Sequence, residues 1–563
     1  MLERTPEFLP AGLDHPSGKP ANIIHWLFDS NRDASGRLMP RWIFLRALAA
    51  IYFSAFYSLL FQIKGLIGPL GILPAGDYLS AVAGAYPDAK FWFAPTLFWI
   101  SSSSHATMIV TTIGLIASIV AFLNLWPRLS FFICFVCFLS FVSAAQDFSS
   151  YQSDGMLLEA GFIALFFAPR GLRPGFGATT PPSRASLFLL QWEWFRIYFE
   201  SGLVKLISGD RQWRTLTAMD QYYQNGPLPT WIGWYTQHAP HWFHTGSAAG
   251  TLILELGIVW MLFLPRRIRV ICFFIVTPWE IGVILTANYT FLNYLVLSLG
   301  FLLLDDRFVE PFIPGRFSQL LIPTRNPISA KSLAVAELTG SEGEEEVELR
   351  APRRIDNHLS ALRLAISAIM LTWIFYNTTA EMLLIPFRNL PLPTSPIAFL
   401  DSFRIANQYG LFAVMTNGRY EIEFQGSNDG QNWTPYLFRN KPQLLNEAPR
   451  IYAPYQPRFD WNLWFASLGD WRQNGIVPAT EDRLLENDKD VLDLFRSNPF
   501  PQSPPRYVRA MLWQYWFTTG EEKSASGNWW RRELLGMYAP AMTKAPDGRA
   551  AVVQWPEELP LHD

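Results

Sequence analysis

The sequence predicts a polytopic α-helical membrane bundle of about eight or nine spans, followed by a C-terminal, extracytoplasmic, β-rich α+β domain. Three observations predict it. Half of the 563 residues are hydrophobic and only 16% are charged. The apolar residues gather into runs of about 18 or more, long enough to cross a bilayer core, and these runs end before residue 390. Lysine and arginine are distributed unevenly among the loops between the runs.

The candidate spans lie at roughly 43–63, 106–126, 129–146, 155–168, 186–207, 247–264, 270–287, 290–304 and 359–385, and residues 70–100 suggest a re-entrant or interfacial piece. The expected organisation is a cytoplasmic segment 1–41, a bundle 42–310, a cytoplasmic linker 311–358, a last span 359–386 and an outer, β-sandwich-like domain 387–563. Residues 1–41 are polar and proline-dotted, with no apolar stretch followed by a small-residue cleavage site, so the first span is expected to act as an uncleaved anchor. Ser341-Glu342-Gly343-Glu344-Glu345-Glu346 reads as a disordered acidic linker.

With the N-terminus inside, the inner loops carry Arg128, then Arg170, Arg173 and Arg184, then Arg266, Arg267 and Arg269, then a further seven basic residues between Arg307 and Arg354. The outer loops carry Lys64, Lys90, Arg211 and Arg214. This asymmetry predicts that the C-terminal domain lies outside. In that domain Arg419–Gly426 alternates polar and apolar residues as a half-buried strand does, Asn428-Asp429-Gly430 makes a turn, and Trp433–Phe438 reads as the returning strand. Tyr507–Phe517 is a second alternating run, while Asp460–Leu468 and Glu481–Phe495 have helical amphipathicity.

The net charge of −2 excludes a strongly basic nucleic-acid binder, and no nucleic acid is expected as partner. Cys134, Cys137 and Cys272 all fall in apolar runs. Cys134-Phe-Val-Cys137 has CxxC spelling, but a membrane helix buries such thiols and blunts their reactivity, so packing is the expected role. His238, His241 and His244 stand at three-residue steps, yet Pro240 interrupts them and no acidic or Cys ligand is adjacent. No metal or cofactor is expected. Ser101 to Ser104 before His105 reads as a polar helix start. No GxSxG, P-loop or Rossmann glycine pattern is present.

The fifth span is the most informative. Glu193, Arg196 and Glu200 share one helical face, which points either to an arginine bridging two glutamates or to a polar cavity. Lys205 follows near the outer end, and Asp210, Trp213, Asp220, Tyr222 and Tyr223 lie in the loop beyond it. Asp154, Glu159, Glu255 and Asn288 add polar atoms at or within other spans.

Phe199–Lys205 (FESGLVK), Asp210, Trp213, Asp220–Pro229 (DQYYQNGPLP), Phe263–Arg267, Thr286–Tyr289 and Asp305-Asp306 together resemble the lipase maturation factors. In the outer domain the resemblance continues through Asn407, Tyr409 and Gly410, Arg419 and Tyr420, Arg458, Asp460 and Trp461, Asn498-Pro499-Phe500 and Trp529-Trp530-Arg531, so that it covers about residues 40–535. It implies a membrane protein that helps exported, lipase-like proteins fold and assemble by non-covalent contact. Animal members sit in the endoplasmic reticulum membrane with the large C-terminal domain on the lumenal side. The absence of cysteine from the outer domain departs from a thiol-exchange partner and suits a bacterial inner membrane. A more distant resemblance, at Gly202–Leu206, is to the vitamin K-dependent γ-carboxylases and implies Lys205 as a base, with Tyr198 or a glutamate assisting. A carbohydrate- or lipid-binding outer domain is the third reading.

Overall fold

Helices form along the first 312 residues where apolar runs meet identifiable start signals. In the computed structural model, residues 20–29, 36–149, 151–312, 354–557 and 559 are described, and the acidic linker 341–346 lies outside them. The bundle comprises α1 (Leu38–Leu60), α2 (Ser104–Phe122), α3 (Pro127–Val142), α4 (Gln152–Phe167), α5 (Arg184–Ile207), α6 (His241–Leu256), α7 (Arg266–Thr286), α8 (Leu292–Gly300) and α9 (Arg354–Leu384). Ser103 caps α2 by accepting from the Ala106 amide at 3.3 Å, and Ser183 caps α5 by accepting from Ser186 at 3.3 Å. Pro127 opens α3 at a position where its missing N–H costs nothing.

Five helices among the described residues are long and apolar enough to cross a membrane: α1, α2, α6 with its short extension to Phe263, α7, and α9 from His358. α3 and α8 with its extension are apolar but shorter. α4 and α5 carry the charged residues, and they lie in the interior, where Asp154, Glu159, Glu193, Arg196 and Glu200 are buried. Outward positions are apolar instead, such as Ile109, Ile113 and Ile116 on α2 and Ile271, Phe274 and Ile275 on α7. That inversion suits lipid solvent.

The two ends of the bundle differ. At one end arginines donate to the carbonyl ends of helices and loops: Arg41 to Phe176, Gly177 and Thr180 at 2.7–2.9 Å, Arg128 to Ala168 at 2.8 Å, and Arg269 to Leu303 at 3.0 Å. Arg266 pairs with Asp305 at the same end. Cations there also complement helix C-terminal dipoles. The opposite end carries the C-terminal domain.

Residues 385–418 are not part of that domain's sheet. They run back over the bundle as a strap before the first strand. The sheet has five antiparallel strands in the order β2-β1-β3-β4-β5: β1 (Arg419–Ser427), β2 (Thr434–Pro435), β3 (Tyr507–Phe517), β4 (Trp530–Lys544) and β5 (Ala550–Gln554). β1 and β3 pair along their whole length, from Arg419 opposite Tyr515 to Ser427 opposite Tyr507. The Asp429 turn forms as expected, its carboxylate accepting from the Gln431 and Asn432 amides at 2.8 and 2.7 Å. Those bonds hold the Asp429 carboxyl well below the usual carboxylate range.

The expected sandwich is corrected. Two helices, α10 (Arg458–Ala466) and α11 (Ile476–Leu485), cover one face where a second sheet was expected. The returning strand is only two residues long, and the chain then turns away so that Phe438 bridges to Phe495. β1 is buried on both faces, since its charged side is covered as well: Lys441 reaches Glu421 at 2.8 Å and Gln443 reaches Glu423 at 3.1 Å. Alternation in β1 therefore separates an apolar interior from a polar interior, not core from solvent.

Candidate functional site

α5 positions the membrane polar cluster, and the strap completes it. Arg196 pairs with Glu159 of α4, lies 3.8 Å from Glu200, and donates to the Asn407 carbonyl at 2.7 Å. Glu159 also accepts from the Asn407 amide at 2.9 Å, and Glu200 accepts from the Tyr409 amide at 2.7 Å. The expectation that Arg196 bridges Glu193 and Glu200 is thus half corrected. Its second carboxylate is Glu159, and Glu193, on the same helix face but one turn back, has no hydrogen-bond partner among the described residues. Gly155 makes this docking possible: a Cβ there would lie 2.6 Å from the Asn407 side-chain oxygen. Gly410, whose absent Cβ would meet Val204 at 2.9 Å, brings the strap equally close to α5.

Most of the other motif residues join the same interface. Arg458 of α10 forms a two-pronged ion pair with Asp154 of α4 at 2.7 and 2.8 Å and stacks over Phe141. Its backbone amide donates to Gln62 of the loop after α1 at 2.8 Å. Asn288 accepts from the Tyr452 and Ala453 amides at 2.7 and 3.1 Å and donates to the Arg450 carbonyl at 2.8 Å. Asp210 caps the short helix Arg211–Arg214 and accepts from the Met415 amide at 3.0 Å, while the Trp213 indole donates to the Phe412 carbonyl at 2.9 Å. Arg419 donates to the carbonyls of Gln224 and Pro227, each at 3.0 Å, and pairs with Glu421. Trp461 packs edge-on against Tyr151, with ring centroids 5.9 Å apart.

Three motif residues lie elsewhere. Asp460 works inside the outer domain, accepting from the Asn440 and Lys441 amides at 3.3 and 3.2 Å. Burial pushes its carboxyl above the usual range. Tyr420 sits in β1, where its carbonyl accepts from Ser467 at 2.9 Å. Asp220 is peripheral and contacts His241 at 3.0 Å. His238 instead contacts the Trp234 carbonyl at 2.7 Å, and His244 is buried against Tyr223. Cys134, Cys137 and Cys272 are buried and free.

Lys205 lines a cavity of about 360 Å³ in the bundle, between α5, α6, α7, α8 and the strap. Its ammonium group donates to both Glu255 oxygens at 2.8 Å and to the Ser201 hydroxyl at 2.6 Å, so its donors are already taken. Gly202 lets α6 approach α5 for this pairing: a Cβ there would meet Glu255 at 2.9 Å. Tyr198 donates to Glu280 at 2.6 Å across the same space. Tyr222, Tyr223 and Tyr289 supply aromatic wall. Glu280 and Asn293 were not singled out from sequence, although a glutamate two residues after Pro278 in the middle of an apolar span was itself the available signal.

Comparison with known proteins agrees with this division into bundle and domain. Residues 39–311 match the lipase maturation factor transmembrane domain, and residues 405–540 match the lipase maturation factor C-terminal domain. The chain is 31% identical to lipase maturation factor 2 of Gallus gallus, across 93% of this chain and 84% of that protein. It is 30% identical to lipase maturation factor 1 of Bos taurus, across 93% and 92% respectively. With lipase maturation factor 2 of Mus musculus the identity is 30%, across 91% and 84%. No solved structure matches.

Proposed function

The chain belongs to the lipase maturation factor family, and on that premise we propose that it assists the folding and assembly of exported, lipase-like proteins by holding them non-covalently on its C-terminal domain. One observation carries the reading. β4 runs from Trp530 to Lys544, but β5 pairs only with Ala541–Lys544. The Trp530 amide is taken by the Leu445 carbonyl and Tyr538–Pro540 are buried, but the short edge between them has no strand beside it among the described residues, and Arg531, Glu533 and Leu534 on it are exposed. Such an edge presents unpaired backbone donors and acceptors to an extended segment of an unassembled client. Arg531 and Glu533 guard it against pairing with a second copy of itself.

In this reading the bundle crosses the membrane nine times. The arginine-rich end faces the cytoplasm, and the domain faces the outside of a bacterial inner membrane, or the lumen if the membrane is that of the endoplasmic reticulum. The latch of strap, Arg196, Arg458 and Asn288 then fixes the client-holding domain to the membrane surface. The burial of all three cysteines within the bundle supports a mechanism without thiol exchange. The test is co-expression with an exported lipase. The specific activity of that lipase should rise with the intact protein and stay at the background level when Leu534→Pro blocks the edge. Equal lipase activity with and without the protein would refute the reading.

A further inference from the structure

Most carboxylates buried in the bundle have a cation: Asp154 has Arg458, Glu159 and Glu200 share Arg196, and Glu255 has Lys205. Glu280 does not. It lines the cavity, and among the described residues its one hydrogen bond is from the Tyr198 hydroxyl at 2.6 Å and it has no ion pair. A carboxyl group in a low-dielectric interior either keeps its proton or takes a positive partner. The Asn293 amide, in a side chain buried at 8% exposure, also lines the cavity without a partner for its nitrogen. The remaining wall includes Tyr222, Tyr223, Trp279 and Phe412. An uncompensated carboxylate inside an aromatic enclosure is the chemistry that recognises an ammonium group.

The way in is lateral. α6 and α7 meet near the turn that joins them, and both contribute wall residues farther along their length. Phe243 of α6 and Pro278 and Gly282 of α7 line the cavity and are also exposed on the bundle's apolar surface. Pro278 removes one backbone bond from α7 at this level. A Cβ on Gly282 would meet nothing within 4 Å, and exposed Ile281 and Leu285 flank it.

We propose that this cavity binds the ammonium headgroup of a membrane amphiphile, with the acyl chains leaving between α6 and α7. Glu280 supplies the counter-charge, and the volume of about 360 Å³ suits a headgroup and not a whole lipid. The full-length protein, purified and stripped of lipid, would be titrated with phosphatidylcholine, phosphatidylethanolamine and phosphatidylglycerol of identical acyl chains and read by native mass spectrometry. The two ammonium lipids should bind about tenfold more tightly than phosphatidylglycerol. Glu280→Gln should abolish that preference, and Gly282→Leu, whose side chain enters open space, should exclude all three lipids. The second variant keeps the test decisive if the first unfolds. Equal binding of phosphatidylglycerol, unchanged phosphatidylcholine binding in both variants, or free choline binding as tightly as phosphatidylcholine would each overturn the proposal.

Discussion

At the scale of single residues, the interior charges divide into those that hold the fold and those that strain it. Arg196 serves Glu159, Glu200 and the Asn407 carbonyl at once. Arg196→Ala leaves two buried carboxylates unpaired and should lower stability by about 3–5 kcal/mol, measured by thermal unfolding of the detergent-solubilised protein. Glu481 on α11 is the opposite case. It is fully buried without a cation among the described residues, and burial holds its carboxyl well above the usual range. The folded state therefore keeps a proton that the unfolded chain releases near pH 4.5, so stability is complete below that pH and is lost as pH rises toward the raised value. Glu481→Gln should be more stable than wild type by about 1–3 kcal/mol at pH 8, with the difference vanishing at pH 4, as read from unfolding transitions across that range. A constant difference at both pH values would contradict this assignment.

At the scale of elements, the strap is the joint between the two halves. Gly155→Val places a branched side chain where the Asn407 oxygen sits and should release residues 385–418 to limited proteolysis while leaving the helical signal of the bundle unchanged. Unchanged protection would show that the strap is held elsewhere. The helices themselves were legible in the sequence, because long apolar runs have few alternative fates, and each candidate span falls on a helix, five of them long and apolar enough to cross a membrane. β3 and the Asp429 turn were legible for similar local reasons. The single sheet was not. Period-two alternation tells which residues share a face but not whether a sheet or a helix covers it, and in β1 both faces are covered. The strap was also hidden, since it docks mostly through backbone atoms of Asn407, Tyr409 and Gly410, and backbone contacts leave no compositional trace.

At the scale of the whole molecule, residues far apart in sequence meet along one interface between bundle and domain. The motif residues Arg196, Asp210, Asn288, Arg419 and Arg458 were legible as notable but not as neighbours, because intramembrane charge marks importance without naming a partner. Non-covalent action predicts that replacing Cys134, Cys137 and Cys272 together by alanine leaves lipase maturation within about twofold of wild type, while loss of activity on Cys134→Ala alone would restore a redox role. The most direct measurement is site-specific photo-crosslinking from position 534, on the open edge of β4, in native membranes after a short pulse of labelled amino acid. A folding factor should capture exported, lipase-like chains soon after synthesis and lose them during the chase as they assemble. Crosslinks confined to lipid or to a permanent partner, unchanged through the chase, would contradict it.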